Sequence, residues 1–435
     1  MEIYWFVALM SSICLEGLGR KYLPAIPPIA LYFLKDVVLL VGYFTIKPPS
    51  FLRKTWQMLY RGFGFVWIMA LGWTVLEAFN PSQAFLPLAL LGLRAYWLWW
   101  WMAPLLIATL MANRKTRRRA IYVLVVFAAG IAILAALQFV SPPDSAINLY
   151  SVVDGEEQYA SDSGIVFATG RARVSSTFAF LSGFQDFTIL IPALLLSLGL
   201  EEENRKLRIF ALGATLLSAA VVPMSGSRSG VILGVAVLLI TTWAAGLFFT
   251  AVGRRILIGA AAALVLGAVA FPDAILGVQS RFDTDETQDR LLQTAVVLPP
   301  VALLWLDYPP MGIGTGMAQN ARMSLKIASD WDAELESHRY LVELGAVGFC
   351  LMWTAKLGIM VALIRCNRIL KRAGRRAAAG AALSYAAVTF FGNLSFDHVW
   401  QALFFVGCGF ILAETGLVLE AAKSSEDGAL VPVSR

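Results

Sequence analysis

The sequence predicts an all-α, polytopic integral membrane protein with about 12 transmembrane helices and a long extracytoplasmic loop carrying short helices. Three observations predict it. Of 435 residues, 58% are hydrophobic and only 15% are charged, with a mean hydropathy of +0.70, whereas a soluble domain carries about 25% charged residues. Apolar runs long enough to cross a bilayer recur along the whole chain. The basic residues fall in short segments between those runs. Lipid is therefore the solvent for most of the chain, which excludes a soluble enzyme, a disulfide-built secreted domain and a disordered protein.

Twelve runs are expected to span. They fall at 3–19, 23–46, 62–79, 95–112, 120–140 and 178–200, and then at 209–223, 229–250, 256–272, 342–364, 377–393 and 399–420. The first run begins almost at Met1, so no cleavable signal peptide is expected ahead of it. The stretch from Trp97 to Trp101 is expected to lie partly at an interface. Ala-rich patches at 260–263 and 377–382 read as helix-packing surfaces. Residues 1–423 form one membrane-embedded domain in this reading, and 424–435 a disordered cytoplasmic tail.

Lys and Arg set the orientation. With both termini in the cytoplasm, inside segments hold 22 of the 35 basic residues and outside segments 11, as the positive-inside rule requires. Two outside segments are long, 141–177 and 273–341, and they carry 15 of the 29 acidic residues. The net charge of +6 is dispersed between spans rather than gathered on a soluble face, so nucleic acid is not an expected partner. The four cysteines make no CxxC or Cys/His cluster, so neither a disulfide framework nor a metal site is expected.

Chemistry is expected on the outer face. Ser225-Gly-Ser-Arg-Ser-Gly230 joins two spans there. Ser225 or Ser227 can cap the following helix, whose unpaired amides and positive dipole end suit an anion, and Arg228 adds a planar guanidinium fitted to phosphate. The plainer alternative is a polar turn with a snorkelling arginine. The 273–341 segment carries Arg290, four residues after Glu286 in ion-pair spacing, and a Gly/Pro cluster, Tyr308-Pro-Pro-Met-Gly-Ile-Gly-Thr-Gly316. Its end, Glu336-Ser-His-Arg-Tyr-Leu-Val-Glu-Leu-Gly345, runs straight into a span.

His338 and His398 are the chain's 2 histidines, and both map to the outer boundary. Imidazole is the side chain best matched to proton transfer near neutral pH. For His338 alone, an interfacial imidazole hydrogen-bonded to a loop carbonyl is the favoured reading over a base. Arg339 and Glu343, four apart, are spaced to pair. Asp397 is placed to orient His398, although a polar helix-end turn is the simpler reading. Gly170-Arg-Ala-Arg-Val-Ser-Ser-Thr-Phe178 puts Arg171 and Arg173 where the first outer loop re-enters the membrane, either to bind an anionic headgroup or to anchor the helix. Ionisable residues inside spans are functional suspects: Lys35 and Asp36, expected to neutralise each other, with Glu77, Asp186, Lys356 and Glu414.

Order and spacing together carry more than any one of these features. The chain resembles the O-antigen ligase/polymerase superfamily of membrane glycosyltransferases. The resemblance covers most of the chain. It shows in the twelve-span plan, Gly92-Leu-Arg94, Arg173 with Ser176-Thr-Phe178, and the Ser-x-Ser-Arg228 turn. It continues in Arg290, Pro310-Met-Gly-Ile-Gly-Thr-Gly316, and Glu336-Ser-His338-x-Tyr340-Leu followed by Glu343-x-Gly345-x-x-Gly348. Arg339 departs from the pattern, because members often carry Asn after the histidine.

The resemblance implies transfer of a glycan from a polyprenyl diphosphate-linked donor to an acceptor hydroxyl, on a growing glycan or on lipid A–core, at the outer side of the bacterial inner membrane. It implies an inverting reaction with no cofactor and no metal. By position, Arg228 and Arg290 would hold the diphosphate, with Arg173 as a third contact. His338 would act as general base, supported by Ser227 and Glu343. Two other classes compete: a transporter of a lipid-linked or polar substrate without covalent chemistry, and a non-catalytic envelope scaffold. A transporter is expected to show repeat symmetry or broken helices near the bilayer midplane.

Overall fold

The computed structural model describes residues 2–318 apart from 24, 84, 154–155, 252, 255–257, 260, 263–264, 266–268, 270 and 283–298, together with 322, 331, 333 and 335–429. The fold is all-α, with 76% of the chain helical. Its elements are α1 (Glu2–Cys14), α2 (Glu16–Tyr22), α3 (Pro28–Thr45), α4 (Ser50–Leu59), α5 (Gly64–Glu77), α6 (Leu86–Ala112) and α7 (Arg114–Val140). A hairpin of β1 (Leu149–Val153) and β2 (Glu156–Tyr159) follows. The chain continues with α8 (Leu181–Glu201), α9 (Arg205–Val221), α10 (Arg228–Ala244), α11 (Pro272–Phe282), α12 (Pro299–Trp305), α13 (Glu336–Arg372), α14 (Arg376–Phe391) and α15 (His398–Ala429).

Among the described residues, 7 helices are long and apolar enough to cross a membrane, or up to 9 if the pairs α1/α2 and α4/α5, bent by 58° and 84°, each count as one span. The protein is thus a multi-pass membrane protein. Twelve spans are not reached, for two reasons. α10 and α14 have 17 and 16 residues, short of the roughly 20 that a bilayer requires, and about half of the run at 256–272 lies outside the described residues. The 273–341 loop does carry short helices, α11 and α12. α15 continues to Ala429, past the point where a disordered tail is expected, and 430–435 lie outside the described residues.

α8, α15 and α6 form the centre: 89%, 83% and 67% of their apolar windows are buried, against 22% for α3. α14 is rich in alanine, which lets neighbouring backbones approach it closely. α10 and α13 both pack along it, with Gly380 against the Thr241 carbonyl and the Ser384 and Thr241 hydroxyls 2.7 Å apart. Of the four tryptophans of α6, Trp101 is exposed and the other three are interior. Trp97, Trp99 and Trp100 are buried, and their indole N–H groups donate to Thr74, Asp36 and the Leu394 carbonyl.

Polar groups collect at the two ends of the bundle. At one end, Arg117 and Arg375 both hold Glu414, Arg375 also reaches Glu201 at 2.8 Å, and Arg118 holds Glu202 at 2.9 Å. This collar ties the α6/α7, α8/α9 and α13/α14 turns to α15, and Glu2 lies beside Thr116 at the same end. Glu414, flagged in the sequence as an ionisable residue within a span, is thereby explained as a structural anion. Replacing it by Gln leaves two guanidiniums facing each other without their shared partner, at a cost of about 3 kcal/mol. Glu414→Gln protein is expected to insert normally but to unfold at lower temperature in a detergent thermal-shift assay, and an unchanged midpoint would refute the collar's role.

Candidate active site

At the opposite end, the segment from Arg171 to Val174 runs beside the turn that enters α10. The Val174 N–H donates to the Met224 carbonyl at 3.1 Å, and Arg173 Nε donates to the Ser225 carbonyl at 3.1 Å. Ser227 caps α10, its Oγ accepting from the Gly230 N–H at 3.2 Å. Ser225 instead turns its hydroxyl to the Val222 carbonyl. Gln185 of α8 donates to Ser229 at 3.3 Å, and Arg171 pairs with Asp273 at 3.2 Å. Arg173, more than 50 residues away in sequence, thus meets Ser227 and Arg228 at one helix N-terminus. Both arginines are half-buried. A helix N-terminus flanked by guanidiniums favours a bound anion.

The second group stands on α13, which is not one straight helix. Gly345 has φ 64° and ψ −173°, so residues 336–344 form a short arm folded against the long helix that follows. Breaking the helix there strips the last carbonyls of the arm of their intrahelical partners. Each is taken up by another donor: Val342 accepts from Ile313 N–H at 2.9 Å, Glu343 from Gly314 N–H at 3.1 Å, and Leu344 from the Trp73 indole at 2.9 Å. The Glu343 carboxylate, fully buried, accepts from Gly316 N–H at 2.7 Å, Ala318 N–H at 2.8 Å and Tyr96 OH at 2.8 Å. The Gly/Pro cluster is therefore a cradle wrapped around the end of the arm. It also presses on α6, where a Cβ on Gly92 would lie 2.6 Å from the Gly316 nitrogen.

His338 sits in the first turn of the arm, half-buried, with Nε2 3.1 Å from the Asp307 carbonyl oxygen. A carbonyl only accepts, so in the neutral imidazole Nε2 carries the proton and Nδ1 keeps its lone pair. This contact is the one expected of an interfacial histidine, and it leaves one ring nitrogen able to accept a proton.

Several expected pairings are replaced by others. Lys35 and Asp36 do not neutralise each other: Lys35 pairs with Glu16, while Asp36 pairs with Arg94 and accepts from Trp99. Consecutive helix residues point about 100° apart, so each finds a different neighbour. Glu343 turns to the cradle and not to Arg339, whose Nε donates to the Ala333 carbonyl at 2.6 Å while its guanidinium lies over Phe396. Asp397 caps α15 by accepting from Val399 and Trp400 N–H, so it serves the helix end and not the His398 ring. Asp186 lies against Asp397, and Glu77 accepts from Asn80. Arg290 lies outside the described residues. The start of α10, which carries Arg228, and the arm of α13, which carries His338 and Glu343, belong to two helices that both pack against α14. Sequence reasoning missed Tyr96, the Gly345 fold-back and the partner of Lys356; of these, only Lys356 itself was flagged, as an ionisable residue inside a span.

At Gly345 a Cβ would lie 2.3 Å from the Pro310 carbonyl oxygen, and the positive φ alone costs a non-glycine residue about 1 to 3 kcal/mol. Gly345→Ala is expected to lower the thermal midpoint and to open the 306–318 turn to protease, as judged by limited proteolysis in detergent. Wild-type cleavage kinetics would show that the fold-back does not hold the cradle. No protein-family model matches the chain, and no curated protein matches it.

Proposed function

We propose that this protein transfers an oligo- or polysaccharide from a polyprenyl diphosphate-linked donor to an acceptor hydroxyl at the outer face of the bacterial inner membrane, as an O-antigen ligase or a surface polysaccharide polymerase. The observation that carries the proposal is the meeting of Arg173 with the Ser227-capped, Arg228-bearing start of α10, at the same end of the bundle as His338. The collar of basic residues at the other end supports an orientation with both termini in the cytoplasm. The twelve-span plan belongs to this proposal as well.

In this mechanism Arg173 and Arg228, with Arg290, hold the diphosphate. Guanidiniums stay charged at any physiological pH, so they can balance the charge that builds on the leaving diphosphate as the glycosidic C–O bond breaks. Nδ1 of His338 accepts the proton of the acceptor hydroxyl while Nε2 stays bonded to the Asp307 carbonyl, and the acceptor oxygen attacks the anomeric carbon from the face opposite the diphosphate. Ser227 keeps the amides of α10 turned to the anion. Glu343 acts at one remove, by fixing the arm that carries His338.

The fold-back of α13 and the two bent helix pairs favour one second reading, a transporter of lipid-linked or polar substrates. The two readings differ in whether a new glycosidic bond is made. Purified protein in lipid, given a polyprenyl diphosphate oligosaccharide, is expected to yield a ladder of longer glycans, or a glycosylated lipid A–core when that acceptor is added. Arg228→Ala and His338→Ala should each reduce product by at least about 100-fold without loss of protein from the membrane. Full product from His338→Ala would remove it as the base. Substrate flipped across vesicles with no product formed would favour transport.

A further inference from the structure

Lys356 is nine-tenths buried or more, at 3% exposure, in the long part of α13. Its ammonium is ion-paired with Glu336, donates to the Gly392 carbonyl at 2.8 Å, and lies over the Trp353 ring. Lys356 and Glu336 are 20 residues apart on what would be one helix, which in a straight helix is about 30 Å. Only the fold-back at Gly345 brings them together. Glu336 also accepts from Ser395 N–H at 2.9 Å and from Tyr340 OH at 3.0 Å, and Tyr340 in turn meets the Ser395 hydroxyl at 2.6 Å.

The arm 336–344 has about two and a half turns, well below the ~12 residues at which an isolated helix becomes even marginal. It is held by its ends. The far end is held by Glu343 in the Gly/Pro cradle. The near end has no side-chain cap, because Leu335 makes no capping bond; there the Glu336 carboxylate, clamped by Lys356 and by the 392–395 turn, is what fixes the first turn. His338 is in that turn, two residues from Glu336.

We propose that Lys356 is a positioning residue for His338: through Glu336 it fixes the first turn of the arm, and so keeps Nε2–H on the Asp307 carbonyl and Nδ1 free to accept a proton. The catalytic meaning of this role rests on the transfer reading proposed above. The geometric part does not.

The chain has 2 histidines, so protein labelled with 15N-histidine and reconstituted in nanodiscs gives two imidazoles, assigned by the spectrum of His338→Ala. In wild type, His338 is expected as a single tautomer with Nε2 protonated. In Lys356→Met its signals should move to those of mixed tautomers while the His398 signals stay in place. Lys356→Arg, which keeps the charge, should restore the wild-type pattern. In the transfer assay, kcat of Lys356→Met should fall by roughly 10- to 100-fold with the donor KM unchanged.

An unchanged His338 tautomer in Lys356→Met overturns the positioning role, whatever the transfer assay reports. A tautomer change in a protein whose wild type transfers no glycan to any acceptor leaves the positioning role standing and removes the transfer reading. If both histidine signals collapse in Lys356→Met, Glu336→Gln is read instead. It retains an oxygen for Ser395 and Tyr340, and a change confined to His338 supports the role while none overturns it.

Discussion

A helix that stops among apolar neighbours must find new donors for its last carbonyls, because lipid offers none. The break at Gly345 imposes this demand, and much of that half of the molecule is arranged to meet it. Val342, Glu343 and Leu344 each accept from a donor outside the arm, two of them in the Gly/Pro cluster and the third Trp73 of α5. The same break brings Glu336 back to Lys356. The cradle in turn leans on Gly92 of α6 and on the end of α5, where Thr315 bonds the Thr74 and Glu77 carbonyls. One glycine in the left-handed region therefore sets where α5, α6, the 306–318 turn and the α14/α15 connection meet.

Charge is handled differently at the two ends. The collar around Glu414 joins four elements through arginines that are only partly buried. At the other end, Lys35, Asp36, Lys356 and Glu343 are almost fully buried, and each has an identified partner. A buried charge with a partner adds little net stability, whereas one that loses its partner is severely penalised. Such pairs act mainly by excluding alternative arrangements of the chain. Here they fix the arm bearing His338 and the approach of α6 to α3. The arginines beside α10 are more open and stand at a helix start, where an incoming anion can reach them.

The fold class was legible from composition and run length alone, because lipid exposure leaves its mark on every turn of a spanning helix. The capping role of Ser227 was also legible, since it depends on a local pattern. The meeting of Arg173 with the α10 turn was suggested only by the family resemblance, for no local rule links residues 55 positions apart. What remained hidden depends on backbone direction. The sequence reading runs 336–345 straight into the span at 342–364, and nothing in the spacing marks Gly345 as left-handed rather than helical. Once that turn is missed, Glu336 and Lys356 lie about 30 Å apart, and Glu343 is assigned to Arg339 because their four-residue spacing suits a pair. Lys35 and Asp36 were paired on adjacency, although adjacency on a helix separates side chains.

The shortness of α10 has a consequence for the lipid around it. Its 17 residues match about 25 Å of hydrocarbon, less than the ~30 Å of a typical bilayer, and Ile232, Val235, Leu239 and Trp243 are exposed along it. A bilayer meeting a short lipid-facing helix thins locally, at a small cost per ångström. In a membrane that α10 crosses, the leaflet beside the end that carries Ser227 and Arg228 is drawn toward the midplane. A headgroup in that leaflet would be lowered toward Arg173 and Arg228 while its tail stays among neighbouring lipids, so under the proposed function the membrane's own elasticity would bring the donor's phosphates to the protein.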